Sequence, residues 1–331
     1  MRALVTGGSG FVGGAVARAL LRQGAEVRVL LRAGSAPNLP EAAEVEIARG
    51  DLRDAQAVCA AASGCDAIFH VAALYSFAAP ASEVMAVNVG GTRNVIAATR
   101  AAGARLVYTS SIATIGGMRD GVLPDELSTP TGLPPGPYKK SKWEAEALVR
   151  EEAASGLEAV IVNPTFPVGV GDVKPTPTGG LIRDFLDGRI PAYVDTGMNV
   201  VDVDDVAQGH LLAFERGQRG ERYILGHANL MMRELLEELA VVAGRKAPRI
   251  RLPHLLALGL AHADAFVEGR ILGRPPRIPL EGVRTAREVM FANCSRARRE
   301  LGLRQTPVRE ALAKAVRWFE ERARRGQRGA S

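Results

Sequence analysis

Along the chain, short runs of adjoining apolar residues alternate with longer stretches in which apolar side chains recur every third or fourth position. Ala3-Leu4-Val5 has the first pattern and predicts a strand; Phe11 to Arg22 has the second and predicts an amphipathic helix. Glu26 to Leu31 is strand-like again. Val45-Glu46-Ile47 leads into a helix near Asp54 to Ala62, and Ala67-Ile68-Phe69 into one near Ser82 to Ala101. Leu106-Val107-Tyr108 is followed by a loop, a helix from Tyr138 to Ala154 and a further apolar run at Ala159 to Val162. Continuously apolar strands are buried on both faces, and strict alternation returns each connection across the sheet through a helix. The pattern therefore predicts an α/β fold, a doubly wound parallel sheet covered by helices on both sides.

The rhythm breaks near Pro164. Prolines and glycines crowd Pro164 to Gly180. Helices dominate afterwards, near Leu181 to Asp187, Asp204 to Glu215, Met231 to Ala243 and Val308 to Arg324, with one short strand at Tyr223 to Leu225. We expect residues 1–165 to form the sheet domain and segments near 199–226 to return to it. Residues 166–198 and 227–331 should form a smaller, mostly helical substrate lobe, a division that suits a length of 331.

Composition narrows the class. With 47% apolar and 24% charged residues, the chain is not disordered. Cys59, Cys65 and Cys294 form no C-x-x-C pair, which excludes a disulfide scaffold and a cysteine-built zinc site and points to a reducing cytoplasm. Met1 to Thr6 runs straight into glycines without an apolar leader. The longest apolar stretch, Leu252 to Val267, is interrupted by Pro253, His254, His262 and Asp264, so neither a secretory signal nor a membrane span is expected.

Thr6-Gly7-Gly8-Ser9-Gly10-Phe11-Val12-Gly13 joins the first strand to the first helix with G-x-x-G-x-x-G spacing. Gly7 permits a sharp turn, Gly10 lets a pyrophosphate approach the backbone, and Gly13 lets helix pack closely on strand. The amides of the helix start, from Phe11 and Val12 onward, then face the anion. An NAD site usually places a carboxylate about 20 residues further on, for the ribose 2′-hydroxyl. Here no Asp or Glu occurs between Glu26 and Glu41, and the second strand ends in Leu31-Arg32. A guanidinium pairs with a 2′-phosphate, so NADP(H) is favoured over NAD(H). Asp51-Leu52 after the third strand and Val71-Ala72-Ala73 after the fourth would line the same crevice, the small residues letting a flat ring and ribose rest on backbone.

Three of the six lysines fall in Tyr138-Lys139-Lys140-Ser141-Lys142. Tyr138 and Lys142 are four apart and share one helix face. A fixed ammonium beside a phenol should lower its pKa and make it a usable proton donor or acceptor. Ser111, just past the fifth strand, can donate a hydrogen bond to a substrate oxygen beside Tyr138.

Taken in order, Thr6 to Gly13, Asp51-Leu52, His70 to Ala73, Asn88-Val89-Gly90-Gly91-Thr92, Ser110-Ser111, Tyr138 to Lys142 and Val203-Asp204-Asp205-Val206-Ala207 resemble the extended short-chain dehydrogenase/reductase (NAD-dependent epimerase/dehydratase) superfamily. The resemblance implies a Rossmann fold and a small-molecule substrate, a ketone, an alcohol or a nucleotide sugar. Ser111 would orient the substrate oxygen, Tyr138 transfer the proton, and Lys142 hold the nicotinamide ribose and tune Tyr138. Pro164 joins Tyr138 and Lys142 in the implied cofactor set. Val27 to Arg32 and Asn163 to Gly169 look like the dihydroflavonol-reductase-like branch; Lys174 to Gly179 and Ala192 to Gly197 are similar to hopanoid-associated sugar epimerases. Asp202 departs from the histidine that the family often has before Val-Asp-Asp-Val-Ala, which leaves the substrate-side wall open. The resemblance also implies homodimers through the helices near Glu83 to Ala102 and Tyr138 to Glu152.

Two enzymatic readings share this machinery. A reductase makes one hydride transfer and releases oxidised NADP, as Arg32 favours. An epimerase oxidises a sugar transiently and returns the hydride, holding NAD tightly. A sensor that has lost its chemistry is the remote alternative, since fold alone does not establish function. Phe77, Met118, Phe166 and Tyr193 are candidates to line the pocket.

The formal charge of +6 is unevenly placed: residues 245–331 carry 20 Lys and Arg against 8 Asp and Glu, and residues 1–244 carry 22 against 28. The recognised chemistry lies in the acidic part, which argues against nucleic acid as a partner. Pro253 to Val267, flanked by Arg249, Arg251, Arg270, Arg274 and Arg277, could rest on an anionic membrane. It shows no clear polar face, and a packed helix with solvated arginines at its ends is the favoured expectation.

Overall fold

In the computed structural model, which describes all residues except 41, 77–78, 119, 131, 133, 135, 272, 275–282, 284–286 and 329–331, the predicted alternation is realised. The chain runs β1 (Arg2–Thr6), α1 (Phe11–Arg22), β2 (Glu26–Leu31), β3 (Glu46–Arg49), α2 (Ala55–Ala62), β4 (Ala67–His70), α3 (Ala81–Met85), α4 (Gly91–Ala102), β5 (Arg105–Thr109), α5 (Pro137–Ala154) and β6 (Ala159–Pro164). It continues through β7 (Phe166–Val168), α6 (Pro177–Leu186), β8 (Ala192–Val194), β9 (Gly197–Asp202), α7 (Val203–Arg216), β10 (Arg222–Leu225), β11 (Ala228–Met231), α8 (Met232–Ala243), β12 (Ile250–Leu252), α9 (His254–Asp264) and a C-terminal helix, Val308–Arg328.

Seven strands form one parallel sheet in the order β10-β6-β5-β4-β1-β2-β3. Alternate residues feed its two faces, as a period of two requires. Leu4, Ile68, Leu106 and Ile161 pack with Val58, Val95 and Val149 of α2, α4 and α5. Val5, Phe69, Val107 and Val162 pack with Leu20 and Leu211 of α1 and α7 on the other side. Chain direction reverses at β1, whose neighbours β2 and β4 leave a crevice at the carboxyl ends of the strands.

Some elements differ from the sequence reading. The helix expected over Ser82 to Ala101 is α3 and α4 joined by a π-helical turn, Ala86–Gly90. The later part of the chain is less helical than expected: β11, β9 and β7 form a three-stranded sheet, and β12 pairs with β8. These strands have three to six residues, too short for a period to emerge. Phe185, Leu235, Leu239, Leu312, Val316 and Phe319 build their own core there. The expectation of a well-packed helix over Pro253 to Val267 is corrected: α9 turns Ala257 and Ala261 inward and leaves Leu255, Leu256 and Leu260 exposed. Small alanines allow a close approach, so the bulky residues are the ones left outside. No helix among the described residues is long and apolar enough to cross a membrane.

Candidate active site

The glycine loop occupies the crevice. Gly7 has φ +76°, and a Cβ there would lie 2.7 Å from the Ala72 nitrogen; one at Gly13 would lie 2.2 Å from the Gly7 oxygen. Only glycine fits these approaches. Gly10 is the N-cap of α1 and supplies no side-chain cap, and the first turn holds no acid. The leading amides, from Phe11 and Val12 onward, are thus available to a phosphate, whereas α2 and α7 are closed by the carboxylates of Asp54 and Asp202. Behind the loop, the Asn38 amide nitrogen donates to the Gly8 carbonyl at 2.8 Å and its side chain to the Gly10 carbonyl at 3.1 Å. The Thr6 hydroxyl accepts the Ala72 N–H at 3.2 Å and pairs with His70 at 2.8 Å, fixing the Val71-Ala72-Ala73 segment beside the loop.

At the far end, Arg32 is exposed just past β2. Arg49 donates to the carbonyls of Arg32 at 3.1 Å and Ser35 at 2.6 Å and so holds that turn from below. Asp51 receives two side-chain bonds from Arg53, at 2.8 and 2.9 Å, which bring its pKa down to about 2. Its charge is therefore neutralised by a neighbour. Leu52 is buried, its carbonyl held by Asn94 at 2.7 Å. Pro164 ends β6, buried and paired with Leu225.

Ser111 follows β5 and caps the 3-10 turn Ile112–Thr114, its hydroxyl accepting the Ala113 N–H at 3.2 Å. Tyr138 is the second residue of α5, which starts from Gly136 at φ +79° with Pro137 at its first position. Ser111 acts on the Tyr138 phenol as a hydrogen-bond donor does, favouring its ionised form. Tyr75 meets the Tyr138 ring edge-on, with centroids 4.4 Å apart. One turn along, buried Lys142 donates to the Thr109 carbonyl at 2.6 Å and lies 4.6 Å from the Tyr108 ring centroid. An ammonium has three N–H groups and Thr109 takes one, so Lys142 and the open amides of the glycine loop fit a nicotinamide dinucleotide.

The electrostatics differ from the expected lowering of the phenol pKa. Burial, with Tyr75 adding to it, pushes Tyr138 up to about 12 against the Ser111 hydrogen bond. Burial also brings Lys142 down to about 7, opposed by Glu146. Desolvation of the ammonium weakens the charge that was expected to act on the tyrosine.

A supporting layer was not legible in the sequence. Asn88, in the π-helical turn, accepts the Leu74 N–H at 2.6 Å and donates to the Ser141 hydroxyl at 2.8 Å. Asn163 donates to the Ser111 carbonyl at 3.1 Å and to Glu146 at 2.9 Å; Glu146 pairs with buried Arg222 at 3.1 Å. Asn88 lies in the Asn88 to Thr92 run that carries the family resemblance, but nothing in that run marks its bonds to Leu74 and Ser141. Among the pocket candidates, Phe77 lies outside the described residues, Met118 is exposed, Phe166 packs beside Ile112 and Ile224, and Tyr193 packs against the core built by Phe185 and Leu235. Asp202 is a structural residue: fully buried, it caps α7 and pairs with Lys314 of the C-terminal helix at 2.7 Å.

A dinucleotide crevice at the reversal point of a seven-stranded parallel sheet, with serine, tyrosine and lysine at one end, defines an NAD(P)-dependent enzyme of the extended short-chain dehydrogenase type. Residues 3–226 match the NAD dependent epimerase/dehydratase family, and the chain belongs to it. It is 44% identical over 326 residues to a Synechocystis protein provisionally named dihydroflavonol 4-reductase, covering 96% of this chain and 94% of that one. It is 36% identical over 325 residues to sterol demethylase protein B of Methylococcus capsulatus, covering 97% and 99%. Among solved structures, that of gox2253 superposes with a TM-score of 0.85 at 41% identity, covering 97% of this chain and 98% of that one.

Proposed function

We propose that the protein is an NADP(H)-dependent reductase that converts a ketone to a secondary alcohol, with Tyr138 as proton donor, Ser111 as the hydroxyl that orients the substrate oxygen, and Lys142 as the group that holds the nicotinamide ribose. The dinucleotide, when bound, supplies the hydride. The observation that carries the reading is the grouping of Ser111, Tyr138 and buried Lys142 at one end of the crevice, and burial, which pushes Tyr138 up to about 12, keeps its phenol protonated as a proton donor requires. As negative charge develops on the substrate oxygen, Ser111 donates to it and Tyr138 transfers its proton. Groups aligned in this way stabilise only the transition state and contribute several kcal/mol. The preference for NADP(H) rests on exposed Arg32 and on Asp51, whose carboxylate is already taken by Arg53.

Tyr138→Phe should lower kcat at least about 100-fold and leave dinucleotide affinity unchanged, as read by single-turnover kinetics and fluorescence titration. Near-normal turnover in that variant sinks the assignment. The family description supports a second reading, an epimerase that keeps NAD and acts on a nucleotide sugar. Denaturing the purified protein and identifying released dinucleotide separates the two: retained NAD supports the epimerase, and an empty site selective for NADPH supports the reductase.

A further inference from the structure

The face of α9 turned away from the protein is apolar except for His262 in its last turn. Leu255 is 81%, Leu256 53% and Leu260 45% exposed, Phe266 just beyond the helix is 57% exposed, and Ile250 before it 60%. The inward face carries alanines, Ala257 and Ala261. The usual arrangement of an amphipathic surface helix is therefore reversed. Single exposed leucines are ordinary, but this many bulky apolar side chains on and beside one short helix form a patch that calls for a partner.

Charge says which partner. Over residues 249–274, every exposed charged side chain among the described residues is an arginine: Arg249, Arg251, Arg270 and Arg274. Arg251 is paired with Asp195. Arg249, Arg270 and Arg274 stand in no ion pair among the described residues, while Glu268 is buried and both it and Asp264 already have partners. A greasy stripe with free guanidinium groups at both ends complements a surface that offers hydrocarbon between phosphates. A second copy of the same face would set these arginines against one another.

We propose that α9 and the described residues beside it seat the protein on an anionic phospholipid surface, with Leu255, Leu256, Leu260 and Phe266 entering the acyl boundary and Arg249, Arg270 and Arg274 on headgroup phosphates. The binding is reversible, because a short helix buries too little apolar area to be held without its charges. His254 of the docked element bonds the Val283 carbonyl at 2.8 Å, and Glu288 pairs with Lys139, next to Tyr138, at 2.6 Å. The inference does not depend on the direction or substrate of the reaction.

The test is sedimentation of the full chain with vesicles of phosphatidylcholine mixed with phosphatidylglycerol, against phosphatidylcholine alone. Binding is expected to the anionic vesicles and to weaken as salt rises. A Leu255→Ser, Leu260→Ser, Phe266→Ser variant should lose it. Separately, an Arg249→Gln, Arg270→Gln, Arg274→Gln variant should bind about 100-fold more weakly with little remaining salt dependence. Unchanged thermal midpoints verify that both variants fold. The proposal is overturned if the wild type stays in solution with both vesicle types, if either variant binds like the wild type, or if sedimentation velocity finds a dimer that the leucine variant splits.

Discussion

Arg32 shows what one side chain contributes and what its neighbours must leave undone. It stands exposed past β2, while Asp51, the carboxylate just past β3, is bound by Arg53 at 2.8 Å. A free guanidinium there gains a charge-assisted pair with a 2′-phosphate, a contribution of about 1.5–3 kcal/mol. Arg32→Gln should therefore raise KM for NADPH by about 10- to 100-fold and leave that for NADH nearly unchanged, as initial rates with each cofactor will read. A loss equal for both cofactors would place Arg32 outside the phosphate site. Tyr138, Lys142 and Ser111 were legible because the signal is local: two lie four apart on a helix and one follows an apolar run. Asn163, Glu146 and Arg222 were not, because each finds its partner far along the chain and nothing near any of them marks the pairing. The phenol pKa was misjudged for a related reason, since the desolvation around Tyr138 and Lys142 is set by Tyr75, Tyr108 and Thr109, which arrive from other elements.

At the scale of elements, α7 is pinned to the sheet by a buried histidine. His210 shares a hydrogen bond with the Thr109 hydroxyl at 2.8 Å and another with the Val206 carbonyl at 2.7 Å. Burial brings its pKa down to about 4, and that of His70 to about 3. Between pH 4 and the ordinary value near 6.5, the unfolded chain binds a proton that folded His210 refuses. Stability is complete above pH 6.5 and falls as pH drops, by about 1.4 kcal/mol per unit for that group. Urea midpoints should decline from pH 6.5 to 4.5 in the wild type and decline less steeply in His210→Gln; parallel slopes would refute the account. The strands and helices of the parallel sheet were legible because each is long enough to show its period. The interruption between α3 and α4 was hidden because a π-helical turn keeps the apolar spacing nearly helical. In α9, the pattern announced an apolar helix but not which side would face inward, since alanine and leucine both count as apolar and only packing separates them.

For the whole molecule, the C-terminal helix closes the structure through a half-buried ion pair. Lys314 meets Asp202, fully buried at the end of β9, at 2.7 Å, and Asp205 accepts from Thr306 at 2.6 Å just before that helix. Removing the lysine leaves a buried carboxylate with the Asp204 N–H still bonded to it, a loss of about 1–3 kcal/mol. Lys314→Met should lower stability by that amount in urea titration, with part recovered in a Lys314→Met, Asp202→Asn double variant; a loss under about 1 kcal/mol would mean that the carboxylate finds another partner. The uneven charge gains a location here as well, because Lys314 and Arg309 of the basic region form ion pairs with Asp202 and Glu238, while Arg249, Arg270 and Arg274 form none among the described residues. By itself, the order of residues determined the parallel sheet, the glycine turn after β1 and the Ser111, Tyr138 and Lys142 set, because each depends on spacing within one element or on a turn that only glycine can make. Tertiary structure alone decided the protonation of Tyr138 and Lys142, the structural role of Asp202 and the outward leucines of α9. Those depend on which distant groups share a burial site, and burial is a property of the folded chain rather than of any segment in it.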